Sequence, residues 1–139
     1  MTLGLTMMVR DEADIIATTL DYYVQQGVDH IVVTDNASID GTTEILEEFA
    51  SRGKIELWHD PEHRKNQAQA VTKMARYLAT AHQVDWVINS DADEFLRPTQ
   101  TDRTLASVFA DILTDIKSFS VPLVNMSRPP TEQGFSLDT

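Results

Sequence analysis

The sequence predicts an α/β protein with a mostly parallel sheet and helices on both of its faces. Apolar, β-branched runs alternate along the chain with segments that repeat apolar residues at helical spacing. This alternation is typical of parallel sheets, whose strands are joined by crossover helices. Polar clusters follow three of the predicted strands. Because ligands of such sheets bind beyond the carboxyl ends of the strands, we expect one domain with its functional site at that edge.

The predicted strands are short, and each is apolar or rich in β-branched residues, as the buried strands of a parallel sheet are. They are Leu3–Val9, His30–Thr34, Ile55–Trp58, Trp86–Asn89 and Phe119–Val124. Pro122 lies in the last of them. Because proline cannot donate a hydrogen bond to a neighbouring strand, we expect that strand to lie at an edge or to end early.

The predicted helices repeat apolar residues along one face. They are Asp14–Gln26, Asp40–Gly53, Gln67–Ala81 and Thr104–Ile116. We expect the first to stop at Gly27, because glycine is common just beyond a helix end. Residues 1–126 are expected to form the domain, and residues 127–139, rich in proline and polar residues, a loosely held tail.

Composition and charge exclude several classes of function. The chain has 139 residues and a net charge of −11, which argues against nucleic acid and anionic membranes as partners, since both attract basic surfaces. The absence of cysteine excludes disulfides, Cys-ligated zinc and thiol catalysis. No stretch approaches the ~20 apolar residues of a transmembrane helix, and no signal peptide is evident at the start. We expect a cytoplasmic protein.

The stretch WVINSDADEFLRP, residues 86–98, ends an apolar strand in carboxylates that repel one another. If the chain stays extended there, Asp91 and Asp93 point the same way and offer a site made of oxygen ligands. Such a site suits Mg²⁺ or Mn²⁺, which take one or two carboxylates together with substrate phosphates. The alternative is that these acids are ordinary solvated loop residues. Phe95 and Leu96 do not fit the haloacid-dehalogenase phosphatase motif or the calcium loop, which leaves a metal that bridges a diphosphate.

The stretch VVTDNASIDGTTEI, residues 32–45, is the second informative strand end. Asp35 and Asn36 would extend from the carboxyl end of the strand, where an acceptor or an amide can contact a nucleobase or a ribose. Asp40 and Thr42 are better explained as caps of the following helix. Asp35 and Asn36 precede that cap and are explained by it less well.

With these motifs the sequence resembles glycosyltransferase family 2, whose members have the GT-A fold. VRDEAD stands where that family often shows V-R-N-E, DNASIDGT where it shows D-D-G-S-T-D-G-T, and SDADEF where it shows a D-x-D at a strand end. Order and spacing agree from roughly Leu5 to Pro98. The stretch Trp58–Asp60 and the following HRKNQ are similar to a subgroup with a D-A-D-E-F motif.

The resemblance implies a nucleotide-diphosphate sugar as donor and Mg²⁺ or Mn²⁺ as cofactor. Asp91 and Asp93 match the D-x-D motif, with Asp93 as the more direct metal ligand and Asp91 nearer the ribose or a metal-bound water. Either Asp35 or Asn36 matches the acid that contacts the base in the family.

The resemblance also assigns further residues to the nucleotide pocket, some of them basic. Arg10 and Glu12 match the first-strand motif that lines the nucleotide pocket, although Asp11 replaces the usual asparagine. Arg64 and Lys65 belong to a basic cluster before the third helix, and a donor diphosphate needs such partners. The alternative for this cluster is a solvated loop that softens the negative charge of the chain.

The implied reaction is an inverting transfer to an acceptor hydroxyl, on a glycan or a lipid-linked glycan. The cation and basic groups stabilise the departing diphosphate while a carboxylate takes the proton of the acceptor. The family draws that base from a segment well downstream of the D-x-D, and no later acid of this chain falls in a matching motif. We therefore expect the donor-binding part of a transferase, incomplete at its carboxyl terminus, and assign no base.

Other interpretations stay open from the sequence. A sugar-nucleotide-binding module without catalysis would keep the metal site and lack the base. A receiver domain would use Asp11 and Glu12 with Asp60 as phosphoacceptor, but Lys117 precedes the last predicted strand instead of following it. A sugar nucleotidyltransferase needs a glycine-rich loop after the first strand, and MMVRDEAD has no glycine.

Overall fold

The structure, a computed structural model, describes residues 2–60, 67–100 and 102–111. The strands are β1 (Leu3–Val9), β2 (His30–Asp35), β3 (Glu56–His59) and β4 (Trp86–Asn89). The helices are α1 (Ile16–Gln25), α2 (Thr42–Ser51), α3 (Gln67–Ala81) and α4 (Leu105–Ala110). The predicted strand Phe119–Val124 and the tail 127–139 lie outside the described residues.

The described strands form one parallel sheet in the order β3-β2-β1-β4. β1 is central, since Leu5 pairs with Ile31 of β2 on one side and with Ile88 of β4 on the other. Because all of these strands run the same way, their carboxyl ends lie at one edge of the sheet. The predicted α/β class with a parallel sheet is confirmed.

Helices cover both faces of the sheet, as predicted. The larger core packs alternate residues of β1, among them Leu5, against α1, α2 and α4. The smaller core lies against α3 and contains Val32, Met74 and Leu78. Removing each such aliphatic side chain from water contributes about 1.5–3 kcal/mol to the stability of the fold.

Two glycines allow close packing. A β-carbon at Gly4 would lie 3.0 Å from Cδ1 of Leu78, so glycine lets α3 approach β1 directly. Gly27 follows α1 with a φ of 86°, and a β-carbon there would lie 2.6 Å from Cβ of Ala106. The residue predicted to stop α1 therefore also makes room for α4.

Helix starts differ from prediction for local reasons. The carbonyl of Glu12 accepts hydrogen bonds from the N–H groups of Ile15 and Ile16, at 3.1 and 2.9 Å, so a turn precedes α1 and the helix begins at Ile16. Thr104 is the N-cap of α4, and its hydroxyl accepts from Ser107 N at 3.2 Å. Within the described part of the chain, no helix is long and apolar enough to cross a membrane.

Candidate functional site

The carboxyl ends of β1 and β4 lie side by side where the strand order reverses. β2 and β3 extend the sheet on one side of β1, and β4 pairs with the other side. In parallel α/β sheets, ligands bind in the crevice at such a reversal. The loops that follow β1 and β4, residues 10–15 and 90–96, both carry predicted site residues. We name residues 90–96 the acidic loop.

The loop after β1 is tied to the loop after β2. The N–H of Asp11 donates to Ser38 Oγ at 3.0 Å, and Asp11 Oδ1 accepts from Ile39 N at 2.8 Å. Asp11 has a φ of 53°, a left-handed conformation in which aspartate is enriched among non-glycine residues. Asp11 therefore shapes this loop, at the position where the resemblance expects asparagine.

Glu12 is held in the same loop by its backbone. Its N–H donates to Thr42 Oγ1 at 2.9 Å, and that hydroxyl donates to Asp40 Oδ1 at 2.5 Å. Asp40 also accepts from the N–H of Thr42, the first residue of α2, at 3.0 Å. The predicted capping role is thus met by Asp40, while Gly41 occupies the N-cap position itself. The hydrogen bond from Thr42 is the main cause that lowers the pKa of Asp40.

Asp35 and Asn36 stand where β2 ends and are nearly buried, with 2% and 5% of their surface exposed. The Asp35 carboxylate accepts from Ser38 N at 3.2 Å and from the Thr43 hydroxyl. Asp35 therefore organises the turn into α2. A carboxylate offers about four acceptor positions, so these contacts do not exhaust its capacity to accept from a ligand.

The acidic loop begins with a turn. The N–H of Glu94 donates to Asp91 O at 3.1 Å, and the N–H of Asp91 donates to Glu94 Oε1 at 2.9 Å. The chain therefore does not stay extended after β4, so the condition under which Asp91 and Asp93 would point the same way is not met. Asp91 and Asp93 are nevertheless both exposed, whereas Ala92 between them is 3% exposed. The turn packs Ala92 inward and leaves both acids at the surface.

Glu12 lies within electrostatic reach of the acidic loop. Partial burial is the largest cause that raises its pKa above the ordinary 4.5. The further causes, in falling order, are the negative charges of Asp93, Asp14, Asp40 and Asp91. The negative charges of both acids of the D-x-D stretch thus act on Glu12. We name Glu12, Asp91 and Asp93 the carboxylate cluster.

The carboxylate cluster has the chemistry of a partial cation site. Among the residues that the structure describes, no three His, Asp or Glu side chains are grouped as a ready-made metal site. Mg²⁺ commonly takes one or two carboxylates and completes its shell with substrate phosphates and water. The carboxylates of Asp91 and Asp93 are of the type that such a donor set includes, and a cation at these residues stays a prediction.

Arg10 brings positive charge to the same edge of the sheet. Its Nε lies 4.0 Å from Asp11 Oδ2, and its side chain is 47% exposed. Arg64 and Lys65 lie outside the described residues, so their contact with a diphosphate stays a prediction.

Sequence reasoning missed the residues that hold the acidic loop. Hydroxyl groups of Thr19, Tyr22 and Tyr23, on α1, form hydrogen bonds with backbone groups of that loop. The available signal was a pair of adjacent tyrosines in an amphipathic helix, since the hydroxyl of a buried tyrosine usually finds a partner.

A second polar cluster lies at the opposite edge, where β2 and β3 begin. The Tyr77 hydroxyl donates to Glu56 Oε1 at 2.6 Å, and His82 Nε2 lies 3.0 Å from the same oxygen. The His82 ring stacks on His30 with 4.2 Å between the ring centroids. Burial acts to raise the pKa of Glu56, but hydrogen bonds from Tyr77 and His82 and the nearby histidine charges hold it below 4.5. We name these four residues the amino-edge cluster.

The strand order contradicts the receiver interpretation. Receiver-like sheets have the order 2-1-3-4-5, which puts the third strand beside the first. Here β2 separates β3 from β1. Asp60 therefore follows a strand that is not adjacent to the one before Asp11 and Glu12, and its assignment as phosphoacceptor is wrong.

Comparisons with known proteins identify one family and one fold. The sequence model of glycosyltransferase family 92 matches residues 5–134. A crystal structure of residues 1–349 of TarS from S. aureus is similar with a TM-score of 0.55 and 17% identity, covering 68% of this chain and 28% of that chain. Another crystal structure of S. aureus TarS gives 0.54 and 17%, covering 79% of this chain and 19% of that one. No curated protein matches the sequence significantly.

At 17% identity, the likeness to TarS shows the fold alone. It agrees with the predicted GT-A-like arrangement of a parallel sheet flanked by helices. This chain spans 28% and 19% of the lengths of the two TarS chains.

Proposed function

The chain belongs to glycosyltransferase family 92, and we propose that it binds a nucleotide-diphosphate sugar with Mg²⁺ or Mn²⁺ at the carboxyl edge of the sheet and transfers the sugar to an acceptor hydroxyl. The observation that carries this proposal is the carboxylate cluster at the reversal of strand order. After partial burial, the negative charges of Asp93 and Asp91 are among the causes that raise the pKa of Glu12, and a positive ligand would offset that repulsion. A cation that arrives with a diphosphate is such a ligand.

Asp91 and Asp93 would hold the cation, with Asp93 as the more direct ligand. When bound, the cation would neutralise charge that develops on the departing diphosphate. The protein's own part is to hold the two carboxylates outward on a fixed turn, with Glu12 nearby. The similarity of SDADEF to the D-x-D motif of family 2 supports this assignment.

Asp35 and Asn36 would contact the base or the ribose, because they lie at the carboxyl end of β2, at the same edge of the sheet. Their burial favours a fixed geometry for such contacts. Arg10 would approach the diphosphate with its half-exposed guanidinium group, which can pair with phosphate through two hydrogen bonds. Arg64 and Lys65, before α3, are the further proposed partners of the diphosphate.

We also propose an inverting transfer, in line with the resemblance to family 2, and a glycan or lipid-linked glycan as acceptor. A cytoplasmic location is part of the same proposal, since a chain without cysteine fits a reducing compartment. No residue is assigned as the catalytic base.

Thermal unfolding with UDP or GDP, each with Mn²⁺ or with a chelator, tests the proposal. A ligand at 100 times its Kd adds about 2.7 kcal/mol to the free energy of unfolding. We expect stabilisation only when metal is present, and its loss in Asp93→Ala.

Asp21→Ala is the matched control, because Asp21 is an exposed acid on α1 outside the carboxylate cluster. This variant should keep the metal-dependent shift. Equal stabilisation in the presence of chelator, no stabilisation by either nucleotide, or an unchanged shift in Asp93→Ala contradicts the proposal.

A further inference from the structure

We propose that Thr19, Tyr22 and Tyr23 are positioning residues that fix the acidic loop for the cation and the diphosphate. The inference rests on the proposed function, since these residues would act through Asp91 and Asp93. Their spacing of i, i+3 and i+4 brings them to one side of α1. From that side their hydroxyl groups reach the backbone of the acidic loop.

Tyr23 makes the most extensive contact with the loop. Its hydroxyl donates to Glu94 O at 3.0 Å, accepts from Leu96 N at 3.1 Å and lies 3.0 Å from Ser90 Oγ. The side chain is 0% exposed, and burial raises the pKa of its hydroxyl, which stays protonated and able to donate at neutral pH. One oxygen thus connects the start, the middle and the end of the acidic loop.

Thr19 and Tyr22 hold two further backbone oxygens. Thr19 Oγ1 donates to Ala92 O, between the two acids, at 2.6 Å, and the Tyr22 hydroxyl donates to Leu96 O at 2.5 Å. The Tyr22 ring also packs edge-on against Phe95 of the loop, with 5.3 Å between the ring centroids. These contacts join residues more than seventy positions apart in sequence.

The contacts fix the backbone and leave the acids exposed. The carbonyl of Ala92 is held by α1, while the flanking Asp91 and Asp93 are exposed. Carboxylates on a loop without such contacts would move apart through mutual repulsion. The free energy of cation binding would then include the cost of bringing them together again. A site held in place beforehand avoids that cost.

The matched control for these hydroxyl groups is Tyr77. It also donates a hydrogen bond from its hydroxyl to a glutamate, at 2.6 Å, but it does so at the opposite edge of the sheet. Tyr77→Phe therefore removes a comparable hydrogen bond without touching the acidic loop. Thr19 offers a second internal control, because Thr19→Ser keeps the hydroxyl and Thr19→Val removes it at similar volume.

The experiment is calorimetric titration of UDP or GDP into the full chain over a range of Mn²⁺ concentrations, well below the unfolding temperature. We expect Tyr23→Phe and Thr19→Val to weaken Mn²⁺-dependent nucleotide binding by about tenfold, as loss of residues that orient metal ligands does. Thr19→Ser and Tyr77→Phe should bind like the wild type. Hydrogen exchange of the Leu96 amide should be faster in Tyr23→Phe alone.

The outcomes separate this inference from the proposed function. If Tyr23→Phe and Thr19→Val lower the unfolding temperature but keep the wild-type dependence on Mn²⁺, the residues are structural only and the positioning role is overturned. If the wild type shows no Mn²⁺-dependent binding of either nucleotide, the proposed function fails and the positioning role fails with it. If Tyr23→Phe does not fold, the Thr19→Ser and Thr19→Val pair decides.

Discussion

The two edges of the sheet use carboxylates in opposite ways. At the amino edge, Glu56 accepts a hydrogen bond from Tyr77 and lies beside His82, and its pKa is lowered. At the carboxyl edge, partial burial raises the pKa of Glu12, and the negative charges of Asp93 and, more weakly, Asp91 raise it further. The first arrangement stabilises the charged acid within the protein. The second disfavours the charged acid, and under the proposed function a bound cation would offset the part that comes from neighbouring negative charges.

The largest effect should come from the backbone contacts of the carboxyl edge. Thr42→Val removes the hydroxyl that accepts from Glu12 N and donates to Asp40, and it leaves the Glu12 amide without this acceptor. We expect a loss of about 1–3 kcal/mol in the free energy of unfolding, measured by urea titration. Thr18→Val, at an exposed position of α1, is the control. Equal losses in the two variants would contradict a structural role for the Thr42 hydroxyl.

A smaller effect with a defined pH dependence is expected at the amino edge. The pKa of folded Glu56 lies below its unfolded value, so its stabilising contribution is complete above about pH 4.5 and is lost as the pH falls through the lowered value. Glu56→Gln should cost up to about 1 kcal/mol at pH 7, because the side chain is partly exposed. As the pH falls below about 4.5, the free energy of unfolding of this variant should also decrease less than that of the wild type. A decrease identical to that of the wild type would refute this assignment.

The opposite sign is expected at the carboxyl edge. The pKa of folded Glu12 lies above 4.5, so the protein loses stability as the pH rises from 4.5 through the raised value, and the loss persists at pH 7. Glu12→Gln should therefore stabilise the metal-free protein, by roughly 0.5 kcal/mol or less because the side chain is only partly buried. Thermal unfolding at pH 4 and pH 7 measures it. A destabilised variant at pH 7 would show that Glu12 is favourably paired.

The smallest effect should occur at an ion pair distant from both clusters. Arg52 Nη2 lies 2.5 Å from Glu48 Oε1 on α2, and both side chains are more than 60% exposed. Such pairs contribute about 0.3–0.5 kcal/mol. Glu48→Gln should thus change the free energy of unfolding by less than Thr42→Val does, in the same urea titration. A loss of 1 kcal/mol or more would show that this exposed ion pair contributes as much to stability as the contacts at the two edges of the sheet. It would contradict the view that burial and pairing determine the size of these effects.

The sequence predicted helices and strands correctly where a local hydrophobic pattern determines them. Trp86–Asn89 and Gln67–Ala81 have the predicted bounds, because an apolar run and a helical repeat are local signals. The prediction of a glycosyltransferase family is confirmed in part, because the motifs resembled family 2 and the matching family is family 92.

The sequence did not predict how the site is built. The turn at Asp91 and the contacts of Tyr23 with the acidic loop depend on side chains that meet only in the folded sheet. The hydrogen bond from the Thr43 hydroxyl to the buried carboxylate of Asp35 also depends on such a meeting of side chains. Such contacts follow from tertiary geometry, and no periodicity in the sequence reports them.

The most direct test of the account is calorimetric binding of a nucleoside diphosphate to the wild type and to Asp93→Asn, with and without Mn²⁺. We predict that the wild type binds UDP or GDP only with Mn²⁺ and that Asp93→Asn, which keeps the size of the side chain, loses most of that binding. Metal-independent binding, or equal affinity in the two proteins, would contradict the claim that the carboxyl edge is a cation-dependent diphosphate site.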